Sequence, residues 1–258
     1  MLAVTDAPDA PSAPHVPGTA LEPVFRSDMT VELVRSAAHD SDVLFAARVS
    51  TVGEQSLEGA TDEASDRDKG LINYLMRDRH GSPFEHNSMT FYVQAPIFVF
   101  REFMRHRIAS YNEESGRYRE LRPIFYVPGA DRRLIQVGRP GKYDFHPGTA
   151  EQTELAVNEG KRVATEAYAS YQRMLDAGIA REVARTVLPL SIYSSMYVTM
   201  NARSLMNFLS LRTKRADTHF PSFPQREIEM VAEQMEALWA ELMPFTYEAF
   251  NKNGRVSP

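Results

Sequence analysis

From Arg105 to Arg117 the chain reads Arg-His-Arg-Ile-Ala-Ser-Tyr-Asn-Glu-Glu-Ser-Gly-Arg, which sets three arginines and a histidine among hydroxyls, an amide and two carboxylates. Cations this close repel one another unless anions sit among them, and planar guanidinium forks match phosphate and imide oxygens in two-point contacts. The chemistry that suits the segment is binding of a planar, phosphorylated ligand. A solvated face whose arginines and glutamates pair with each other is the competing explanation. Two features favour a site. The segment leaves an apolar run, Ile97-Phe98-Val99-Phe100 with Phe103 and Met104 next, so its polar groups emerge from a buried element. Ser110, Asn112, Ser115 and Gly116 also favour turns and side-chain-to-backbone bonds over regular helix.

Other polar groups recur at useful spacing. Arg203 and Asn207 fall one turn apart on a predicted helix that Arg212 closes, where a contact with the helix dipole is worth only a few tenths of a kcal/mol. His80, Ser82, Glu85 and His86 read as a structural turn, because a zinc site needs a one-turn histidine pair or cysteines and neither is present. Ser115 has no partner base at recognisable spacing, so it suits binding rather than nucleophilic attack.

Composition narrows the classes. The absence of cysteine excludes disulfides, thiolate metal sites and thiol nucleophiles. A net charge of -5 argues against a surface that binds nucleic acid as a whole and leaves anion binding to local clusters. A non-catalytic nucleotide- or RNA-binding protein using the basic stretch 105–122 stays open as an alternative. No apolar run is long enough to span a bilayer and no signal-peptide pattern opens the chain, so a cytoplasmic location is expected.

Several elements must position these residues. Residues 1–24, rich in proline and alanine, are expected to form a disordered arm ahead of one domain over 25–258. A strand is expected over 29–34, a helix over 41–50 capped by Ser41 or Asp42, and a loop over 53–62. Ser65 and Asp68 form a capping box for a helix that ends near His80. Met89, Phe91, Val93 and Ala95 alternate with polar residues in a half-buried strand, and Pro96 opens a helix that ends in the arginine-rich segment. Residues 125–127 are short and extended, and 132–146 irregular. A long helix is predicted near 149–177 with Gly178 as its stop, then a shorter helix over 179–188. A strand over 192–200, a helix over 202–212, a loop over 213–223 and a last helix opened by Pro224 follow. Helices and strands without regular alternation imply a single α+β domain with a mostly antiparallel sheet packed with several helices.

The stretch from Arg105 matches the Arg-His-Arg-x-x-Ser-x-Asn-Glu-x-Ser-x-Arg signature of the flavin-dependent thymidylate synthases at every specified position, and the chain resembles that family from about residue 28 onward. The resemblance implies reductive methylation of dUMP to dTMP, with methylenetetrahydrofolate as carbon donor and NADPH as reductant acting through bound FAD. Without cysteine, such an enzyme activates the uracil ring by other means than a thiolate adduct. The family's residues correspond here to FAD contacts at His80, Ser82, Glu85, Arg105, His106, Arg107, Ile108, Glu113, Asn201, Arg203 and Asn207. dUMP contacts correspond to Glu102, Arg105, Glu113, Ser115, Gly116, Arg117, Arg185 and Arg212, and Arg212 is the catalytic arginine that polarises the uracil. No metal is implied. The family assembles its sites between subunits of a homotetramer. One departure stands out: the loop after Arg212 is longer than the family's usual form, so His219 and the loop cations receive no role.

Overall fold

The computed structural model describes residues 21–57, 65–140 and 142–258. A short strand β1 (Val24–Arg26) leads into β2 (Thr30–Ala37) and helix α1 (Asp40–Val52). Helix α2 (Asp66–Arg77) is followed by β3 (Ser88–Pro96), α3 (Ile97–Phe103), β4 (Ser110–Glu113) and β5 (Ile124–Tyr126). A hairpin of β6 (Ile135–Arg139) and β7 (Lys142–His146) precedes the long helix α4 (Ala150–Asp176), the single turn α5 (Arg181–Ala184) and β8 (Tyr193–Met200). Helices α6 (Ala202–Arg212), α7 (Arg226–Leu242) and α8 (Pro244–Lys252) follow.

The central sheet has the order β2-β3-β8-β4, with every pair antiparallel. Alternation along β3 and β8 sets the register: Met89 opposes Met200, Phe91 opposes Val198 and Val93 opposes Met196, and all six are buried. The opposite face is polar, with Thr90 and Thr199 hydroxyls 2.9 Å apart and Tyr92 and Ser195 hydroxyls also 2.9 Å apart. Helices α6, α7 and α8 bury Leu205, Phe208, Met235, Trp239 and Phe250 in the same core as the apolar face. A second cluster lies under α4, whose Ala164, Tyr168, Tyr171 and Leu175 pack with Phe125 and Ile192. Tyr168 donates to the Leu121 carbonyl at 3.1 Å, and the Leu121 N–H donates to the Tyr171 hydroxyl at 3.3 Å, so both buried phenols are satisfied.

Together these elements form the expected single α+β domain, with β1 and β5 paired in parallel beside the antiparallel sheet. The capping box at Ser65 and Asp68 is present, and Thr149 caps α4 by accepting from the Gln152 N–H at 3.2 Å. Gly178, at φ 77°, stops α4 in the left-handed conformation that glycine adopts without penalty.

Several boundaries differ from expectation. Helix α1 is capped by His39, whose N–H donates to Asp42 at 2.7 Å. Asp40, the first residue of α1, is buried and accepts from the Phe245 and Thr246 N–H groups at 2.9 and 2.8 Å, so it caps the start of α8. Strand β2 begins at Thr30, ordered structure includes Val24, and the loop over 53–62 contains a 3₁₀ turn at Gly53–Leu57; residues 58–62 fall outside the described residues, as do 1–20 of the arm. Helix α2 ends at Arg77, three residues before the expected stop. The stretch over 132–146 is a hairpin, missed because charged and turn-forming residues interrupt the alternation of Ile135, Val137, Tyr143 and Phe145. Residues 179–188 hold only α5 and a 3₁₀ turn. The helix expected to open at Pro224 starts at Arg226 and is not last, because Pro224 is followed by a second proline signal at Pro244 that opens α8.

Candidate active site

Helix α3 stops at Phe103, before the arginine-rich segment, which continues as a turn and then as edge strand β4. Phe103 stacks on Phe208 of α6 with ring centroids 4.9 Å apart, an aromatic pair worth about 1 kcal/mol beyond its buried area. That contact locks the end of α3 against α6, so residues from both meet. The Arg212 guanidinium donates from Nη1 to Glu102 Oε2 at 2.5 Å and from Nε to His106 Nε2 at 3.1 Å. Tyr111, on β4, donates its hydroxyl to the His106 carbonyl at 2.7 Å and lies 2.9 Å from that of Phe103, closing the turn from the other side.

Electrostatics give these groups distinct states. Burial pushes the His106 imidazole down to about 4, and the Arg212 charge adds to the effect, so His106 is neutral at pH 7 and accepts at Nε2. Burial raises Glu102, partly opposed by Arg212 and reinforced by the Glu227 charge. Tyr111 is pushed up to about 12 by burial and stays a donor. The depressed histidine has a stability consequence. Between pH 6.5 and about 4 the unfolded chain binds a proton at this site and the folded chain does not, so acidification through that window removes folding free energy. An NMR titration should therefore show one histidine ring signal that stays in the neutral position down to about pH 5 and vanishes in His106→Asn; a signal from His106 titrating near 6.5 would contradict the buried, neutral state.

His106 also borders a half-open cleft of about 500 Å³ lined by Arg79, Glu85, Arg105, Arg107, Ile108, Arg203, Ser204, Asn207, Ser257 and Pro258. Arg203 pairs with Glu85 and donates from Nε to the Pro258 main-chain oxygen at 2.6 Å. Exposed guanidinium groups and an amide around one concavity are a donor set for phosphates and for a ring that carries negative charge. Ile108 offers an exposed apolar edge to the same space.

Not every expected residue joins this cleft. Glu113, Ser115, Gly116, Arg117 and Arg185 form a second group. Arg117 pairs with Glu182 at 2.9 Å, and a Cβ on Gly116 would fall 3.2 Å from the Arg185 side chain, so Arg185 lies across that turn. Desolvation raises Glu113 and the Glu114 charge adds to it, opposed by a hydrogen bond with Ser194 and, more weakly, by the Arg185 charge. His80 stacks on Tyr74 with centroids 5.8 Å apart, and Ser82 is exposed at the start of a 3₁₀ turn. Asn201 spends its amide oxygen on capping α6, accepting from the Ser204 N–H at 2.9 Å. Among the described residues no group of three or more His, Asp or Glu is placed to hold a metal ion.

Sequence reasoning missed Arg79, Ser204, Ser257 and Pro258 in the cleft. Arg79 had one available signal, a position just after the end of α2, where it adopts the left-handed φ of 66°. The others come from packing. A further cavity of about 300 Å³ opens between the β6–β7 hairpin and α7, but its charges are largely paired, Arg132 with Glu227 at 2.7 Å and Arg226 with Glu229 at 3.0 Å.

The family described as "Thymidylate synthase complementing protein" matches residues 32–245. A flavin-dependent thymidylate synthase of Streptomyces avermitilis is 67% identical over 243 residues, covering 94% of this chain and 98% of the relative. One from Tropheryma whipplei is 61% identical over 238 residues, 92% of this chain and 98% of the relative. Among solved structures, the UMP/dUMP methylase PolB from Streptomyces cacaoi bound with 5-Br UMP superposes with a TM-score of 0.84 at 57% identity, covering 92% of this chain and 99% of PolB.

Proposed function

Because the chain belongs to the family of flavin-dependent thymidylate synthases, we propose that it methylates dUMP to dTMP reductively, with FAD as the flavin, methylenetetrahydrofolate as carbon donor and NADPH as reductant. The observation that carries the reading is the junction at His106, which faces the cation-lined cleft and also accepts from Arg212. PolB, named as a UMP/dUMP methylase, supports the pyrimidine nucleotide as substrate.

The cleft fits a flavin nucleotide in its donor set. Arg79, Arg105, Arg107 and Arg203 would hold phosphates and an electron-rich ring, with Asn207 offering its amide and Ile108 an apolar contact. Bound flavin supplies the redox step between the nicotinamide reductant and the pyrimidine carbon that receives the methylene group. The protein's own part is placement and charge. Arg212, fixed by Glu102 and His106, presents its guanidinium to the uracil imide, where negative charge grows as electrons enter the ring. Glu113, Ser115, Gly116, Arg117 and Arg185 hold the nucleotide, with Arg117 and Arg185 suited to its phosphate. His80, Ser82, Glu85 and Asn201 complete the flavin side, Glu85 by orienting Arg203.

The homotetramer, with sites completed between subunits, is carried over from the family to which the chain belongs. We place the enzyme in the cytoplasm and take 25–258 as its catalytic domain. The alternative of a non-catalytic nucleotide- or RNA-binding protein is not favoured, because the family model and the high-identity relatives are thymidylate synthases over most of the chain.

The test is the visible spectrum of the purified protein supplied with FAD and followed under NADPH with and without dUMP. A bound flavin whose reduction responds to dUMP, together with dTMP formation when methylenetetrahydrofolate is added, is the expected result. A protein that takes up no flavin defeats the reading, and steeply salt-dependent RNA binding in its place would revive the alternative.

A further inference from the structure

The segment after α8 reverses direction through two left-handed residues, Gly254 at φ 74° and Arg255 at φ 57°. The Arg255 N–H bonds the Phe250 carbonyl at 2.9 Å, closing the helix end. From that turn the contacts move along α6 in reverse. Arg255 Nη2 donates to Thr213 Oγ1 at 2.9 Å, directly beside Arg212. Ser257 then donates to the Arg203 carbonyl at 3.0 Å, and the Pro258 main-chain oxygen accepts from Arg203 Nε at 2.6 Å. One short segment therefore touches both ends of the helix that carries Arg203 and Arg212.

Both anchors are built tightly. Arg255 is gripped by the two oxygens of buried Glu236 at 2.8 and 2.9 Å. The His219 N–H donates to the Gly254 carbonyl at 2.9 Å, so the long loop after Arg212 rests on the same turn. At the other end Gly81 makes room: a Cβ there would fall 2.7 Å from the Pro258 main-chain oxygen and 2.6 Å from the Arg203 guanidinium carbon. Gly81 has an ordinary negative φ, so space and not backbone conformation demands the glycine. The Pro258 main-chain oxygen takes Nε and Glu85 takes Nη1, so the Arg203 guanidinium is held at two of its three nitrogens where it lines the cleft.

We propose that residues 255–258 are a positioning brace for the active site, in which the Pro258 main-chain oxygen aims Arg203 into the flavin cleft and Arg255, through Thr213, holds the helix end that presents Arg212. The inference rests on the proposed flavin site and adds residues outside the signature to it. Arg255 and Pro258 act through other groups; neither touches substrate.

The experiment is a titration of FAD, read by flavin fluorescence, into wild-type protein, a chain ended after Val256, and Gly81→Ala. Each change should raise the FAD Kd about tenfold, the loss of one hydrogen bond to a charged group, while the thermal midpoint of the flavin-free protein barely moves. Thr213→Val tests the other anchor: kcat should fall about fivefold with FAD Kd unchanged, and Thr213→Ser should restore it. FAD affinity equal to wild type in both cleft variants, or full kcat in Thr213→Val, overturns the brace. If wild-type protein itself takes up no FAD, the functional reading fails first and the brace falls with it.

Discussion

Arg212→Ala should leave a folded protein that still binds flavin and dUMP yet turns over about 10²–10³-fold more slowly, the usual cost of losing one preorganised group at a developing charge. The side chain closes α6 without joining the apolar core, and truncating it takes one donor from buried His106. It leaves Glu102 without its cation, but Glu102 is already raised by burial and can take up a proton, so the stability loss should stay within about 1–2 kcal/mol. Arg212→Lys keeps the charge but cannot donate to Glu102 and His106 at once while reaching the pyrimidine, so it should fall between alanine and wild type. Single-turnover kinetics with flavin already reduced would isolate the step. A wild-type rate in Arg212→Ala would remove this residue from the chemistry.

The arginine-rich segment and the Asn201–Arg212 helix were legible because their chemistry is local. A run of cations beside turn formers, and a helix with a capping asparagine, are written in adjacent residues. What stayed hidden depends on residues distant in sequence. Glu102, His106 and Arg212 meet only because Phe103 stacks on Phe208, a contact spanning more than a hundred residues that no spacing encodes. Pro258 reaches Arg203 through a reversal at Gly254 and Arg255, and a left-handed arginine carries no sequence signal. Among fold elements, β3, α4 and β8 alternate or repeat cleanly and were readable. The β6–β7 hairpin was not, since a two-stranded ribbon with one face on the domain needs only a few apolar residues.

Breaking the buried pair of Arg255 and Glu236 should be the most damaging single change to stability. Both side chains are nearly inaccessible, at 2% and 3% exposure, and the pair also engages Thr213, Asn251 and Tyr247. Removing one partner strands a charge where water cannot solvate it, so Arg255→Met or Glu236→Met alone should cost about 3–5 kcal/mol in urea denaturation. Replacing both should recover most of that loss, because two methionines fill the space without desolvating ions. Burial pushes Glu236 up, but the hydrogen bonds and charge of Arg255, aided by Arg215, outweigh it and hold the carboxyl below its ordinary 4.5. A depressed carboxylate stabilises the fold above that unfolded value, and its contribution drains away as pH falls through the lower, folded value. Wild-type stability should therefore decline below about pH 4.5 more steeply than that of the doubly substituted protein. The double variant also separates two roles. If the pair served stability alone, restoring stability would restore kcat; if it braces Thr213 and hence Arg212, the refolded double variant should remain slow. Stability that the second methionine fails to rescue would mean the pair is not paying a desolvation cost, and the electrostatic account of it would be wrong.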